Sequence, residues 1–239
     1  MGLRSWLGLR AQDKALPDWM VGSPQSIEDI KNARKNLKTL APLRSHLREL
    51  VGDRRCFVVG SAPQATRTDY DICICVNGSG WSAARLGIDC PDLTIIGGWT
   101  LRGDTPVRSE TIEAIRGLRT KEVLLVEFGI SLEEGRNVLE RAGFHFDRLL
   151  TVNAFDRAVV IGDVCGEEIP VGPKTFEKRP SMGLTAVAFA LWGGCRDVTM
   201  TGFSLSGGHA YMTGDTPRLH VEGDKWFLER AKHLPIKML

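Results

Sequence analysis

The residues able to do acid–base or anion chemistry fall in a few short segments. His209 and His220 lie in Gly207-Gly-His-Ala-Tyr-Met-Thr-Gly-Asp-Thr-Pro-Arg-Leu-His220, a glycine-rich stretch after the last clear strand. A histidine in such a loop titrates near neutrality and can take a proton from a hydroxyl. His46 sits on a helix, His145 precedes a strand beside aromatic residues and His233 lies near the C-terminus, positions that read as structural. Asp69-Tyr70-Asp71 has the D-x-D form of metal-assisted nucleotide-sugar transfer. It opens a strand, however, which favours a capping or solvated role for these acids. Gly78-Ser-Gly-Trp-Ser-Ala83 matches G-x-G-x-x-A, but it follows the second strand, whereas dinucleotide sites follow the first and have an acid closing the second. Gly60-Ser61-Ala62-Pro63 is followed by no Gly-Lys-Ser/Thr and is not a P-loop. No other carboxylate or Cys/His cluster has metal-ligand spacing, so no metal is expected.

Such loops need elements to hold them. Short β-rich apolar runs occur at Cys56–Val59, Asp71–Val76, Leu93–Ile96, Glu122–Glu127, Arg148–Val152, Ala158–Ile161 and Asp197–Met200. Helical spacing occurs over 26–51, where Pro42 kinks or divides it, and over 108–119, 131–142, 182–193 and 222–233. The alternation predicts an α/β fold: a single Rossmann-like domain over residues 53–239, with a mostly parallel sheet flanked by helices, preceded by an N-terminal helical arm over residues 1–52. In an open parallel sheet the working residues lie just past the carboxyl ends of the strands. Gly60-Ser61, Asn77-Gly78-Ser79-Gly80, Gly97-Gly98 and Gly202-Phe203-Ser204 each follow a predicted strand, which places four small-residue turns at one crevice. Backbone N–H groups there suit phosphates or sugar hydroxyls.

Composition agrees. Glycine is 26 of 239 residues, about 11% against an ordinary ~7%. Lys plus Arg number 31 and Asp plus Glu 29, a net charge of +2 that provides no general field for nucleic acid. No apolar run is long enough for a bilayer, and Met1–Arg10 lacks the apolar run and cleavage site of a signal peptide. Six cysteines are too few for a disulfide scaffold. The expected location is the cytoplasm, with peripheral contact to a membrane surface.

Several of these segments together resemble a known family. Arg55-Cys-Phe-Val-Val-Gly-Ser-Ala-Pro with Asp71-Ile-Cys-Ile-Cys-Val-Asn77 resembles the large sialylmotif of sialyltransferases. Arg179-Pro-Ser-Met-Gly183, Ala188-Phe-Ala-Leu and Asp197-Val-Thr-Met-Thr-Gly-Phe203 look like the small sialylmotif, and His209-Ala-Tyr211 is similar to the short His-Tyr motif after it. His220 stands where both animal-type and bacterial members place their base. The resemblance covers about residues 55–230. It implies a GT-A-variant, metal-independent, inverting glycosyltransferase. The implied donor is a CMP-activated ulosonic acid (sialic acid, Kdo or a relative), and the acceptor is a glycan or lipid-linked hydroxyl. By position, Gly60, Ser61, Asn77, Gly78 and Ser79 would meet ribose and phosphate. Ser181 and Gly183 would hold the cytidine or the donor, and Gly202 would lie beside them. Tyr211 would hydrogen-bond the leaving phosphate, His220 would be the general base and His209 a secondary candidate. Arg179 and Arg218 could pair with the donor carboxylate or phosphate. Ser61 stands where the families usually carry Asn. Cys56 and Cys195 take the positions of the animal enzymes' bridged cysteines, and in a cytoplasmic chain they are expected to be neighbouring thiols.

Two other classes fit parts of this pattern. A pterin-diphosphokinase-like enzyme shares the Gly-x-x-Pro loop and would need Mg²⁺, through Asp69 and Asp71 or a strand-end acid. A non-catalytic nucleotide-binding module would leave His220 incidental.

Overall fold

The computed structural model describes residues 39–103, 106–127, 129–166, 179–205, 208–212 and 220–239. Residues 1–38 of the expected 1–52 arm, the Gly207 end of the histidine loop and Arg218 lie outside the described residues. Seven strands form one sheet: β1 (Arg55–Val59), β2 (Ile72–Val76), β3 (Leu93–Gly97), β4 (Arg119–Glu127), β5 (His145–Asn153), β6 (Asp197–Thr201) and β7 (Ile236–Met238). Their order is β5-β4-β3-β2-β1-β6-β7 and every pair is parallel. The first five strands add outward from β1 in one direction, and the chain then returns to lay β6 on the other side of β1. The sheet's topological switch point, where ligand crevices form in open α/β sheets, therefore lies between β1 and β6.

Both faces of the sheet are covered, which is why β1, β2 and β3 read as almost unbroken apolar runs. One face packs Cys56, Val58, Ile74 and Ile95 against helices α1 (Ala41–Val51), α5 (Ala154–Cys165), α6 (Met182–Trp192) and α7 (Val221–Arg230). The other packs Phe57, Val59, Ile96, Val123 and Leu125 against α2 (Gly80–Arg85), α3 (Pro106–Ile115) and α4 (Leu132–Arg141). Helix α1 begins with Pro42 in its first turn, so the predicted break falls at a helix start. It seats on the end of α6 so closely that a Cβ on Gly193 would stand 2.6 Å from Val51 Cγ2. Cys56 and Cys195 are free thiols within hydrogen-bonding reach of each other.

Two elements differ from the sequence reading. Ala158–Ile161, expected as a strand, lies inside helix α5. Asn153 caps that helix by accepting from Phe155 N (2.9 Å) and Asp156 N (2.7 Å), and Gly166 ends it at φ +66°. The Ala-Val-Val-Ile run is buried on all sides in α5, and a fully buried helix loses the polar face that would give its period away. Strand β7 was not foreseen. It adds to the β6 edge, where Val198 N donates to Pro235 O and Leu239 N to Met200 O, both at 2.9 Å. Among the described residues no helix is long and apolar enough to cross a membrane.

Candidate active site

The crevice starts where β1 and β6 end. Gly60 N donates to Thr201 O and Ala62 N to Gly202 O, each at 2.7 Å, so the two turns leave the sheet backbone against backbone. Only glycine fits either turn. A Cβ on Gly60 would stand 2.3 Å from Gly202 O, and one on Gly202, at φ +67°, 2.8 Å from Gly60 O. Above this pair lies a cleft partly open to solvent. Ser61, Asn77, Ser181, His209, Tyr211 and His220 line it, with Gly60, Gly183 and Gly202. Residues up to 160 positions apart are thus gathered at the switch point.

Each wall has a local cause. The 208–212 segment is tied to the β1 turn, because Ala210 N donates to Ser61 O (2.6 Å) and the Ser61 hydroxyl hydrogen-bonds His209 Nδ1. Tyr211 lies flat over the Gly78 backbone, where a Cβ would be 2.6–2.9 Å from its ring carbons. Burial raises its phenol, keeping it a protonated donor, while contacts with Thr111 and the Gly78 backbone pull the other way. Asn77 adopts φ +47°, a left-handed conformation that Asn tolerates. Its Oδ1 accepts from Gly97 N at 2.9 Å, which leaves the side-chain NH₂ for a ligand oxygen. Gly78→Ala is expected to push Tyr211 off its seat and weaken nucleotide binding about tenfold, ~1.4 kcal/mol by calorimetry, with little change in Tm.

The opposite wall is the start of α6. Ser181 caps this eleven-residue helix, its Oγ accepting from Leu184 N at 3.5 Å. Phe203 packs so tightly on Gly183 that a Cβ there would be 2.3 Å from its ring. The helix therefore presents its N-terminal N–H groups and the positive end of its dipole to the cleft. His220 is the N-cap of α7, and its Nδ1–H donates to Arg179 O at 3.0 Å. That bond selects the tautomer in which Nε2 keeps its lone pair. Burial and then the Arg157 charge hold His220 down at about 4; the Arg179 carbonyl opposes them, and the Arg179 charge adds the smallest push downward.

Three expected ligand residues do not line the cleft, and the first, Gly78, lies beneath the Tyr211 ring. Ser79 is fully buried and its hydroxyl ties two strands, donating to Val59 O (2.6 Å) and accepting from Val76 N (2.7 Å). Arg179 is 4% exposed and does not line the cleft; its carbonyl, not its guanidinium, meets His220. Asp71 lies at the far end of the sheet, where its carboxylate pairs with Arg55 (2.9 Å) and Arg196 (3.5 Å), and the Arg55 bonds hold it down at about 2. Asp71→Asn should therefore leave nucleotide affinity unchanged in calorimetry. Among the described residues no cluster of three His, Cys, Asp or Glu could hold a metal ion.

Some of the site was not foreseen. Trp99, 38% exposed, and Thr100 line the cleft directly after the flagged Gly97-Gly98 turn. Asp224, buried in the first turn of α7, accepts from Ser181 N at 2.6 Å and joins the two helix starts. Its spacing of four from His220 was the available signal.

No protein-family model matches the chain, and no curated protein matches it. Solved structures that match include the monofunctional alpha-2,3-sialyltransferase Cst-I from Campylobacter jejuni. It is 16% identical, over 77% of this chain and 75% of that one, with a TM-score of 0.46. The sialyltransferase CstII from Campylobacter jejuni with cytidine-5'-monophosphate is 12% identical over 78% and 79%, with a TM-score of 0.43. The sialyltransferase CST-II with a trisaccharide acceptor and CMP is 12% identical over 77% and 80%, with a TM-score of 0.44.

Proposed function

We propose that the chain is an inverting glycosyltransferase that moves a CMP-activated ulosonic acid onto a glycan or lipid-linked hydroxyl, without a metal ion. The observation that carries this reading is the convergence, at the β1/β6 switch point, of the sialylmotif-like segments around His220, whose Nδ1 is already committed to a backbone carbonyl.

Transfer needs two things at once: a base for the acceptor proton and a sink for the departing phosphate charge. His220 Nε2 takes the hydroxyl proton as the new bond forms from the acceptor oxygen to the anomeric carbon. The bond from that carbon to the CMP phosphate breaks, and its electron pair leaves on the phosphate oxygen. The start of α6 and the Asn77 NH₂ face that oxygen's growing negative charge. The transition state is oxocarbenium-like, as in glycoside hydrolysis.

A base held near 4 is neutral throughout the physiological range but weak. The donor brings a carboxylate and a phosphate, and their charges oppose Arg157 and Arg179, so donor binding raises His220. The acid limb of kcat/KM, which reports the free protein, is therefore expected near pH 4, and that of kcat at a higher pH. Coincident limbs in the two pH–rate profiles would speak against this charge coupling.

Calorimetry with CMP, CDP, ATP and NAD, each with and without EDTA, tests the reading. Selective CMP binding unaffected by EDTA is expected. Metal-dependent ATP binding would sink the proposal in favour of a diphosphokinase-like enzyme.

A further inference from the structure

Arg157 belongs to α5, outside the cleft, and is only 4% exposed. Burial pulls its guanidinium down to about 10, so it stays a cation at neutral pH. Burying such a charge costs several kcal/mol unless good partners meet it. Both hydrogen bonds described for it go to one short stretch: Nη2 donates to Pro180 O and Nε donates to Thr185 Oγ1 at 2.8 Å. Thr185 passes the contact on, its Oγ1 donating to Ser181 O at 2.8 Å. From the other side Asp224 accepts from Ser181 N, and His220 donates to Arg179 O. Among the described bonds, polar side chains of α5, α6 and the start of α7 thus hold the Arg179 and Pro180 carbonyls and both backbone groups of Ser181, beside the helical bond from Thr185 N to Ser181 O. Arg157 is the residue of α5 that reaches this strap of residues 179–181, directly at Pro180 O and through the Thr185 hydroxyl at Ser181 O.

We propose that Arg157 is a positioning residue for His220: by fixing the Pro180 carbonyl and the Thr185 hydroxyl, it holds the Arg179 carbonyl that selects the Nδ1–H tautomer and leaves Nε2 unprotonated. This inference rests on the transfer reading for its purpose, but its physical content does not need a substrate. A guanidinium can reach two acceptors at once because its donors form a rigid fork, whereas a lysine ammonium offers a single point. The charged groups around the ring are Arg157 from α5, Arg179 from the strap and Asp224 on the first turn of α7 itself. Removing the Arg157 charge therefore also relieves a repulsion that opposes the imidazolium.

The test is nitrogen-15 NMR of the imidazoles in the ligand-free protein, comparing wild type with R157M, R157K and T185V. Wild type should show a single Nδ1–H tautomer for His220. R157M should raise the His220 midpoint by about 1 pH unit and mix the two tautomers. R157K and T185V retain a charge at 157 but break the two-point grip; both should mix the tautomers with a smaller change in midpoint. If R157M fails to fold, the latter two variants still decide the matter. One tautomer retained in both overturns the positioning role. A wild-type protein that binds no CMP would sink the transfer reading and leave the imidazole result standing.

Discussion

His220→Ala is expected to reduce transfer by about 10²–10⁴-fold, the usual effect of losing a general base, while CMP affinity stays within about threefold. The split follows from the geometry. The ring bonds the Arg179 carbonyl through Nδ1 and lines the cleft, while the proposed nucleotide floor at Gly60 and Asn77 is carried by the β1 and β2 turns, away from that bond. Single-turnover transfer and CMP calorimetry on one preparation measure the two quantities independently. Retained turnover would remove His220 from the base role; lost CMP affinity would make it a binding residue. A stability measurement supplies a further check with a definite sign. His220 is held at about 4 in the folded chain and would titrate near ~6.5 when unfolded. Between those values the unfolded chain binds the extra proton, so this group's contribution is complete above about pH 6.5 and is lost as pH falls toward 4. The loss amounts to roughly 3 kcal/mol. In His220→Gln that part of the acid slope should vanish from denaturant unfolding curves.

The parts of this site that strand pattern alone made legible sit at strand ends, whereas Ser181, Gly183 and Tyr211 came from the resemblance and His209 and His220 from the glycine-rich loop that holds them. Parallel strands buried on both faces announce themselves as apolar runs, and a glycine just beyond each run marks where the backbone turns over the sheet. Gly60, Asn77, Gly97 and Gly202 could be placed at one crevice on that basis alone, since the strand direction leaves no other edge for them. The supports behind the crevice gave no such signal. Arg157 meets Pro180 across 23 positions and Asp224 meets Ser181 across 43. Nothing local separates Arg157 from a solvated charge, and only its spacing of four from His220 marks Asp224. Helix α5 itself was misread at Ala158–Ile161, because the burial that makes Arg157 costly also made its surroundings uniformly apolar. Tertiary burial, which created the functional contact, erased the periodicity that would have located it.

Gly202→Ala should have the second large effect, and it tests the switch point itself. Gly202 has φ +67°, so any side chain costs about 1–2 kcal/mol in backbone strain. Its Cβ would also lie 2.8 Å from Gly60 O and 3.4 Å from Ala62 O. Both obstacles are backbone and cannot rotate away. The β1 and β6 turns must part, stretching the bonds from Gly60 N to Thr201 O and from Ala62 N to Gly202 O. Together the cost should reach about 2–4 kcal/mol, a fall in Tm of roughly 5–15 °C for a chain of this size. CMP affinity should drop at least about tenfold, because the displaced turns carry Ser61 and the floor of the cleft. The control is Gly117→Ala. Gly117 has nearly the same φ, +68°, but nothing lies within 4 Å of its Cβ position. It therefore bears the strain without the collision and should lose only about 1–2 kcal/mol, with CMP affinity unchanged. Equal CMP binding by the two variants would mean that nucleotide does not sit over the β1/β6 turns. A selective loss in Gly202→Ala would tie binding to the one place where the sheet reverses its order, and to a backbone contact that only a pair of glycines permits.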